Sequence, residues 1–203
     1  SKRSLVLANG TNCEKLVFNK VSEKSFVFLL TNNHDWQGLD KLKEIASKLT
    51  EFKFYVIGFE SKDTENISYL GKMNSKEIDR FIIDKQPIGI SSLALHRKQM
   101  YEASTLKSRH YLKHSLPMIL PYKDTDIPKD NNLFLNLENN ESVSSDISCV
   151  KIRDYANEVF NNFELRKQIH DFVVSNIDNE LKEKRRIEFF NKVIEGNSVE
   201  LLN

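Results

Sequence analysis

Glycine is scarce in this chain. Only six of the 203 residues are glycine, and neither G-x-G-x-x-G nor G-x-x-x-x-G-K-[ST] occurs anywhere in the sequence. An NAD-type dinucleotide fold and a P-loop both rest phosphates on glycine-rich backbone, so both are excluded. Cysteine is scarcer still. Cys13 and Cys149 stand far apart without metal-ligand spacing, which points to two free thiols in a reducing compartment and rules out a disulfide framework. Net charge is missing too: 30 basic against 29 acidic side chains leave +1. Nucleic acid is therefore not an expected partner, because domains that bind it are basic. No apolar run reaches the length of a membrane span or of a signal-peptide core.

What remains is an ordinary globule, 39% hydrophobic and 29% charged. Its length suits one fairly large domain or one domain with appendages. The first residue is Ser rather than Met, as expected of a processed or excised chain.

The apolar residues come in short continuous runs. Phe26–Leu30, Phe52–Ile57, Ile67–Leu70, Ile88–Ile90, Met118–Leu120 and Leu133–Leu135 do not alternate with polar residues. Strands buried on both faces read this way, and such strands belong to parallel sheets covered by helices. Between them, Leu39, Leu42, Ile45, Ala46 and Leu49 share one helical face. Asn74 and Glu77 resemble a capping pair ahead of Ile78, Phe81 and Ile82. The alternation predicts an α/β fold, a doubly wound (Rossmann-like) parallel sheet of about six strands with C-terminal helices. Residues 1–12, stopped by the Asn9-Gly10 turn, read as a linker or lead-in strand, and residues 13–177 as the body. The polar stretch 136–148 reads as a loop. Helical periodicity begins at Ile152, and residues 178–203 are expected to form a last helix. The run Lys182–Arg186 reads as the solvated side of that helix.

The densest chemistry lies between Ser92 and Pro117. His96, Arg97, Lys98, Glu102, Lys107, Arg109 and His110 fall in one segment between two apolar strands. In a doubly wound sheet, ligands bind outside the carboxyl ends of the strands. With no glycine-rich loop available, an anion there would be held by side-chain cations and a helix N-terminus. Arg97, Lys98 and Lys107 are the cations, and a helix is expected to begin near Leu106. Asp124-Thr125-Asp126 resembles a metal-diphosphate motif, but it comes late, in a polar turn, and is expected to be solvated. No metal and no cofactor are expected.

Several elements together resemble the group 1 glycosyltransferases of the two-domain GT-B fold. Glu102-Ala-Ser-Thr-Leu-Lys107-Ser-Arg109-His110-Tyr-Leu, followed by Ser115-Leu-Pro117-Met-Ile, is similar to that family's segment with two glutamates eight positions apart ahead of a Pro-Val-Ile strand. Trp36-Gln37-Gly38-Leu39-Asp40 resembles its Lys-Gly-Leu-Asp element. Ile67-Ser68-Tyr69-Leu70-Gly71 resembles its strand beside the base pocket, and Asn9-Gly10 its turn at the domain junction. The likeness runs from about Leu5 to Asn176 and is strongest to transferases of bacterial surface polysaccharides.

The resemblance implies the C-terminal, donor-binding domain of a hexosyltransferase, of the retaining type, acting on a UDP- or GDP-linked sugar. The acceptor domain would lie N-terminal and outside this chain, so the chain alone is expected to transfer nothing. A polysaccharide or glycolipid acceptor, a cytoplasmic location and peripheral association of the full-length enzyme with the inner membrane face are further implications. Glu102 would hydrogen-bond the sugar. Lys107, Arg97 or Lys98, and the backbone N–H groups of Thr105 and Leu106 would meet the diphosphate, Gly38 and Ser104 would also contact the substrate, and His110 would hold the ribose. The sequence departs from the pattern in two ways. The second glutamate is His110, which offers one acceptor and one donor where a carboxylate accepts twice. The first loop, Thr31–Gln37, carries no Arg or Lys, and Gln37 stands at the lysine position. These departures leave open a binding module of the same fold that has lost catalysis, and an unrelated flavodoxin-like domain.

Overall fold

The computed structural model describes residues 4–194. Six parallel strands form one sheet: β1 (Ser25–Leu29), β2 (Lys53–Ile57), β3 (Ile67–Tyr69), β4 (Ile88–Ile90), β6 (Met118–Leu120) and β8 (Leu135–Asn136). Their order across the sheet is β3-β2-β1-β4-β6-β8. Each sequence-predicted run supplies one of these strands, although the last begins two residues later than expected, at Leu135. Two more strands escape sequence reading. β5 (Glu102–Ala103) and β7 (Lys123–Asp124) pair in parallel as a small separate ladder. A two-residue pairing leaves no periodicity to detect.

Strand alternation divides the core. Phe26 and Phe28 of β1 face one apolar layer with Phe54, Val56, Ile88 and Ile90. That layer is covered by α1 (Leu39–Lys48) and α4 (Asp146–Val159) through Leu42, Ile45, Ile152 and Tyr155. Val27 faces the opposite layer, filled by Ile82 of α2 (Ser75–Lys85), Tyr111 and Leu112 of α3 (Leu106–Lys113), and Ile169 and Val173 of α5 (Phe163–Asn176). The helices therefore lie on both faces of the sheet.

The local signals explain the helix starts. Asn74 and Glu77 form a reciprocal capping box on α2, as their spacing predicts. Helix α4 begins at Asp146 instead of Ile152, inside the expected loop. Ser145 caps it by accepting from the Ser148 amide at 3.2 Å. Ser and Asn are residues of loops and of caps alike, so this stretch is ambiguous by composition.

The segment before β1 holds no strand over 5–8. It is tied down instead at the far end of the chain. Thr11 bridges Asp178, and Asn179 donates to the Asn12 side chain at 2.6 Å. Helix α6 (Asn179–Ile194) leaves from this point, and residues 195–203 of the expected last helix lie outside the described residues. Its Lys182 is buried and pairs with Asp126, against the expectation of a wholly solvated basic run. Ile187 and Phe190 farther along are exposed. No helix among the described residues is long and apolar enough to cross a membrane.

Candidate functional site

The strand order reverses direction between β1 and β4, and in doubly wound sheets such a reversal is where the ligand-binding crevice lies. The turn after β1 and the segment after β4 converge at this point. The Leu93 amide donates to the Gln37 carbonyl at 3.0 Å. Gly38 sits in the left-handed region at φ 81°, and a Cβ there would meet Leu93 Cβ at 2.7 Å. Glycine is thus required twice over, by backbone conformation and by the close approach of the second loop.

Beneath this junction Tyr111 reaches from α3 through the apolar layer. Its hydroxyl accepts from the Leu29 amide at 3.0 Å. It also shares its proton between the carbonyls of Val27 at 3.1 Å and Ile90 at 3.0 Å. The pairing of β1 with β4 ends at Phe28 and Ile90, so the phenol satisfies backbone groups where the strands separate. Gly89 makes room for it, because a Cβ there would lie 2.5 Å from the Tyr111 ring.

Helix α3 begins at the mouth. Thr105 is its N-cap, accepting from the Ser108 amide at 3.3 Å. The Thr105 hydroxyl also meets Tyr122 at 2.9 Å and Ser91 at 3.3 Å, and those two hydroxyls are 2.5 Å apart. Leu106 is the exposed first residue of the helix, where backbone N–H groups lack intrahelical partners. Ser104 holds the N-terminal segment, its hydroxyl accepting from the Asn9 amide at 3.1 Å and its carbonyl from the Asn9 side chain at 2.9 Å.

Lys107 is the half-buried cation of this mouth. Its ammonium donates to Gln37 Oε1 at 2.5 Å and lies 4.3 Å from the centre of the Phe28 ring. Ser92 donates to the same Gln37 oxygen at 3.3 Å. Neutral groups surround the lysine, and burial draws its pKa down from 10.5 to about 7. No carboxylate pairs with it among the described residues. Lys98 also lacks a carboxylate partner among the described residues, and its ammonium lies 4.3 Å over the Trp36 ring.

Arg97 differs. All five of its N–H donors are engaged: two with Asp40 at 3.0 and 2.8 Å, two with Glu141 at 2.8 and 2.9 Å, and one with the Asp35 carbonyl at 3.0 Å. Glu141 also takes His96 and Lys41. The Arg97 guanidinium, foremost among these partners, holds its carboxyl far below the usual range. Arg97 therefore braces the loop after β4 against α1.

Glu102 and Lys107 do not meet. The exposed Glu102 carboxylate pairs with Lys123 on the neighbouring strand β7 at 2.9 Å. His110 turns toward α2, its Nε2 3.1 Å from Asp79 Oδ1. The expected solvation of Asp124 and Asp126 is corrected. Asp124 is buried and takes both terminal nitrogens of Arg109 at 2.9 Å, while Asp126 accepts from Arg109 at 2.8 Å and from Lys182. Two internal cations use the aspartates, and Arg109 is a brace whose Nε also reaches the Asn9 carbonyl at 2.5 Å. Sequence reasoning missed Ser91, Tyr122 and Asp79, which carry no motif.

The fold defined by this topology is the Rossmann-like α/β architecture of GT-B glycosyltransferase domains. Three solved structures illustrate the likeness. Sucrose-phosphate synthase from Thermosynechococcus elongatus superposes with a TM-score of 0.66 at 10% identity, over 93% of this chain and 52% of that one. A glycosyltransferase from Rickettsia africae gives 0.62 at 17% identity, over 88% and 49%. A point mutant of S. aureus TarM, in complex with fondaparinux, alpha-GlcNAc-glycerol and UDP, gives 0.64 at 16% identity, over 92% and 39%. The chain thus spans about half or less of the length of these proteins. No family model matches the sequence, and no curated protein matches it.

Proposed function

We propose that this chain is the nucleotide-sugar-binding half of a GT-B glycosyltransferase. The observation that carries the reading is Lys107. It is an ammonium at the strand-order reversal, beside the N-terminus of α3, held by neutral Gln37 and without a carboxylate partner among the described residues. Cations paired with carboxylates are structural, as Arg97 and Arg109 show. One left beside a helix N-terminus is suited to meet an anion from solvent. The fold likeness to glycosyltransferases, one of them solved with UDP, supports a nucleoside diphosphate as that anion.

In this reading the diphosphate meets Lys107, Lys98 and the amides of Leu106 and Lys107. Thr105 and Ser104 shape the helix start, and Gly38 allows the two loops to close. Glu102 breaks from Lys123 to take a hydroxyl of the sugar. Glycosyl transfer passes through an oxocarbenium-like state while negative charge gathers on the leaving diphosphate. A fixed ammonium and helix dipole stabilise that charge without a metal. The acceptor, a polysaccharide or glycolipid, would be held by a second domain N-terminal to this one, with retention at the anomeric carbon. That enzyme would work in the cytoplasm or at the inner membrane face. The exposed Ile187 and Phe190 of α6 would pack against the second domain.

A second reading, a binding module without catalysis, is favoured by Arg97 and His110. The first is fully engaged by carboxylates, and the second is turned to Asp79. Calorimetric titration of the chain with UDP and GDP tests the first reading. Saturable binding that is lost in Lys107→Met is expected. Absence of binding at millimolar concentrations of both nucleotides would refute it. Binding by this chain, with no transfer when the missing half is supplied, would establish the second.

A further inference from the structure

Away from the crevice, three metal-ligating side chains converge where α2 meets α3. Asp79 projects from α2, while His110 and His114 stand four residues apart on one face of α3 and its C-terminal end. One ligand atom from each lies within 4.8 Å of the others. Asp79 Oδ1 is 2.7 Å from His114 Nε2 and 3.1 Å from His110 Nε2. One carboxylate oxygen therefore faces two imidazole nitrogens. His114 bonds it. The His110 nitrogen is buried and in no hydrogen-bonding geometry with anything. Lys113 holds the other oxygen, Oδ2, at 2.8 Å, and Glu14 lies 3.4 Å from the same ammonium.

Two observations separate this cluster from an ordinary ion pair. The His110 nitrogen lies 3.1 Å from that carboxylate without hydrogen-bond alignment, and an ion placed between the two would satisfy it. A cavity of about 270 Å³, lined by Asp79 and His114 together with Glu14, Lys15, Gln86 and Arg166, gives an ion a path from solvent and room for water.

We propose that Asp79, His110 and His114 form a site for a divalent transition-metal ion of the zinc type, completed by water from the adjoining cavity. Two nitrogen ligands and one oxygen suit zinc, whereas magnesium and calcium favour all-oxygen sets. A tetrahedral ion with bonds of about 2.0–2.1 Å sets ligand atoms roughly 3.3 Å apart, so the two nitrogen–oxygen gaps need widen by only about 0.2–0.6 Å. Lys113 can keep Oδ2 meanwhile. The ion would pin α2 to α3, the helix whose other end carries Thr105 and Lys107. The inference departs from the sequence expectation of no metal and does not depend on the proposed donor site.

Titration of the full chain with Zn²⁺, by calorimetry and by thermal unfolding, tests it. One ion per chain is expected, with affinity falling at least about tenfold in His110→Ala and in His114→Gln. The same ion should raise the unfolding temperature of the native chain but not of these variants. Cys13→Ser should bind as the native chain does, because the Cys13–His170 contact at 3.4 Å is the competing thiol–imidazole pair. Should His110→Ala fail to fold by circular dichroism, the near-isosteric Asp79→Asn carries the same expectation. No saturable binding at millimolar zinc, unchanged affinity in the histidine variants, or loss confined to Cys13→Ser would each overturn the assignment.

Discussion

Replacing Tyr111 with Phe isolates the hydroxyl that stitches the sheet where β1 and β4 part. The ring can stay, since Phe fills the same space over Gly89, so packing loss is small. What is lost is the acceptor for the half-buried Leu29 amide and the donor shared by the buried carbonyls of Val27 and Ile90. β4 cannot substitute, because its pairing with β1 has already ended at Ile90. An orphaned buried amide costs about 1–3 kcal/mol. With the weakened carbonyls added, the variant should lose about 2–3 kcal/mol. For a domain near this size, that lowers Tm by roughly 5–10 °C. Urea unfolding followed by circular dichroism should show a lower midpoint with an unchanged slope, since the surface exposed on unfolding is the same. A loss below about 0.5 kcal/mol would show that the backbone groups find other partners, and that the phenol does not hold the strands at the crevice.

Other perturbations reach the site and its supports. Lys107→Met should abolish nucleotide binding yet stabilise the free chain. The folded pKa of about 7 lies below the ordinary 10.5, so the penalty for burying the charge is fully present below pH 7 and fades as pH rises toward 10.5. The variant's advantage, about 2–4 kcal/mol at neutral pH by urea titration, should shrink across that window; an advantage independent of pH would contradict it. Arg109→Met leaves the buried Asp124 carboxylate unpaired and should cost about 3–5 kcal/mol in the same assay. Gly38→Ala forces a side chain into a left-handed position and against Leu93, at a cost of about 1–3 kcal/mol, and should weaken nucleotide binding more than it lowers Tm.

Much of the architecture was legible because its signals are local. The continuous runs around Phe28, Val56 and Ile119 announce strands with helices on both sides, and the spacing of Asn74 and Glu77 announces a helix start. The site was legible only in part. Lys107 and the start of α3 could be placed, since both follow from one short segment. The partners that decide each side chain's work could not. Arg97 is engaged through Asp40, 57 residues away, and Glu141, 44 away. His110 is turned by Asp79 on another helix, and Asp126 is met by Lys182 from 56 residues downstream. Such pairings are made by tertiary folding, and no period or spacing in the sequence encodes them. β5 and β7 are too short to show alternation, and the first turn of α4 is written in the same serines that mark a loop.

The knot that gathers Asn9, Arg109, Asp126 and Lys182 brings the segment before β1 and the last helix to one spot on the surface. Tension applied to either would meet the same ion pairs before any strand was loaded. Swinging one relative to the other would take the Asn9 carbonyl from Arg109 or the Lys182 ammonium from Asp126. The body therefore has a single stiff handle rather than two separate ones, and whatever pulls on it must move the foot of α3 as well.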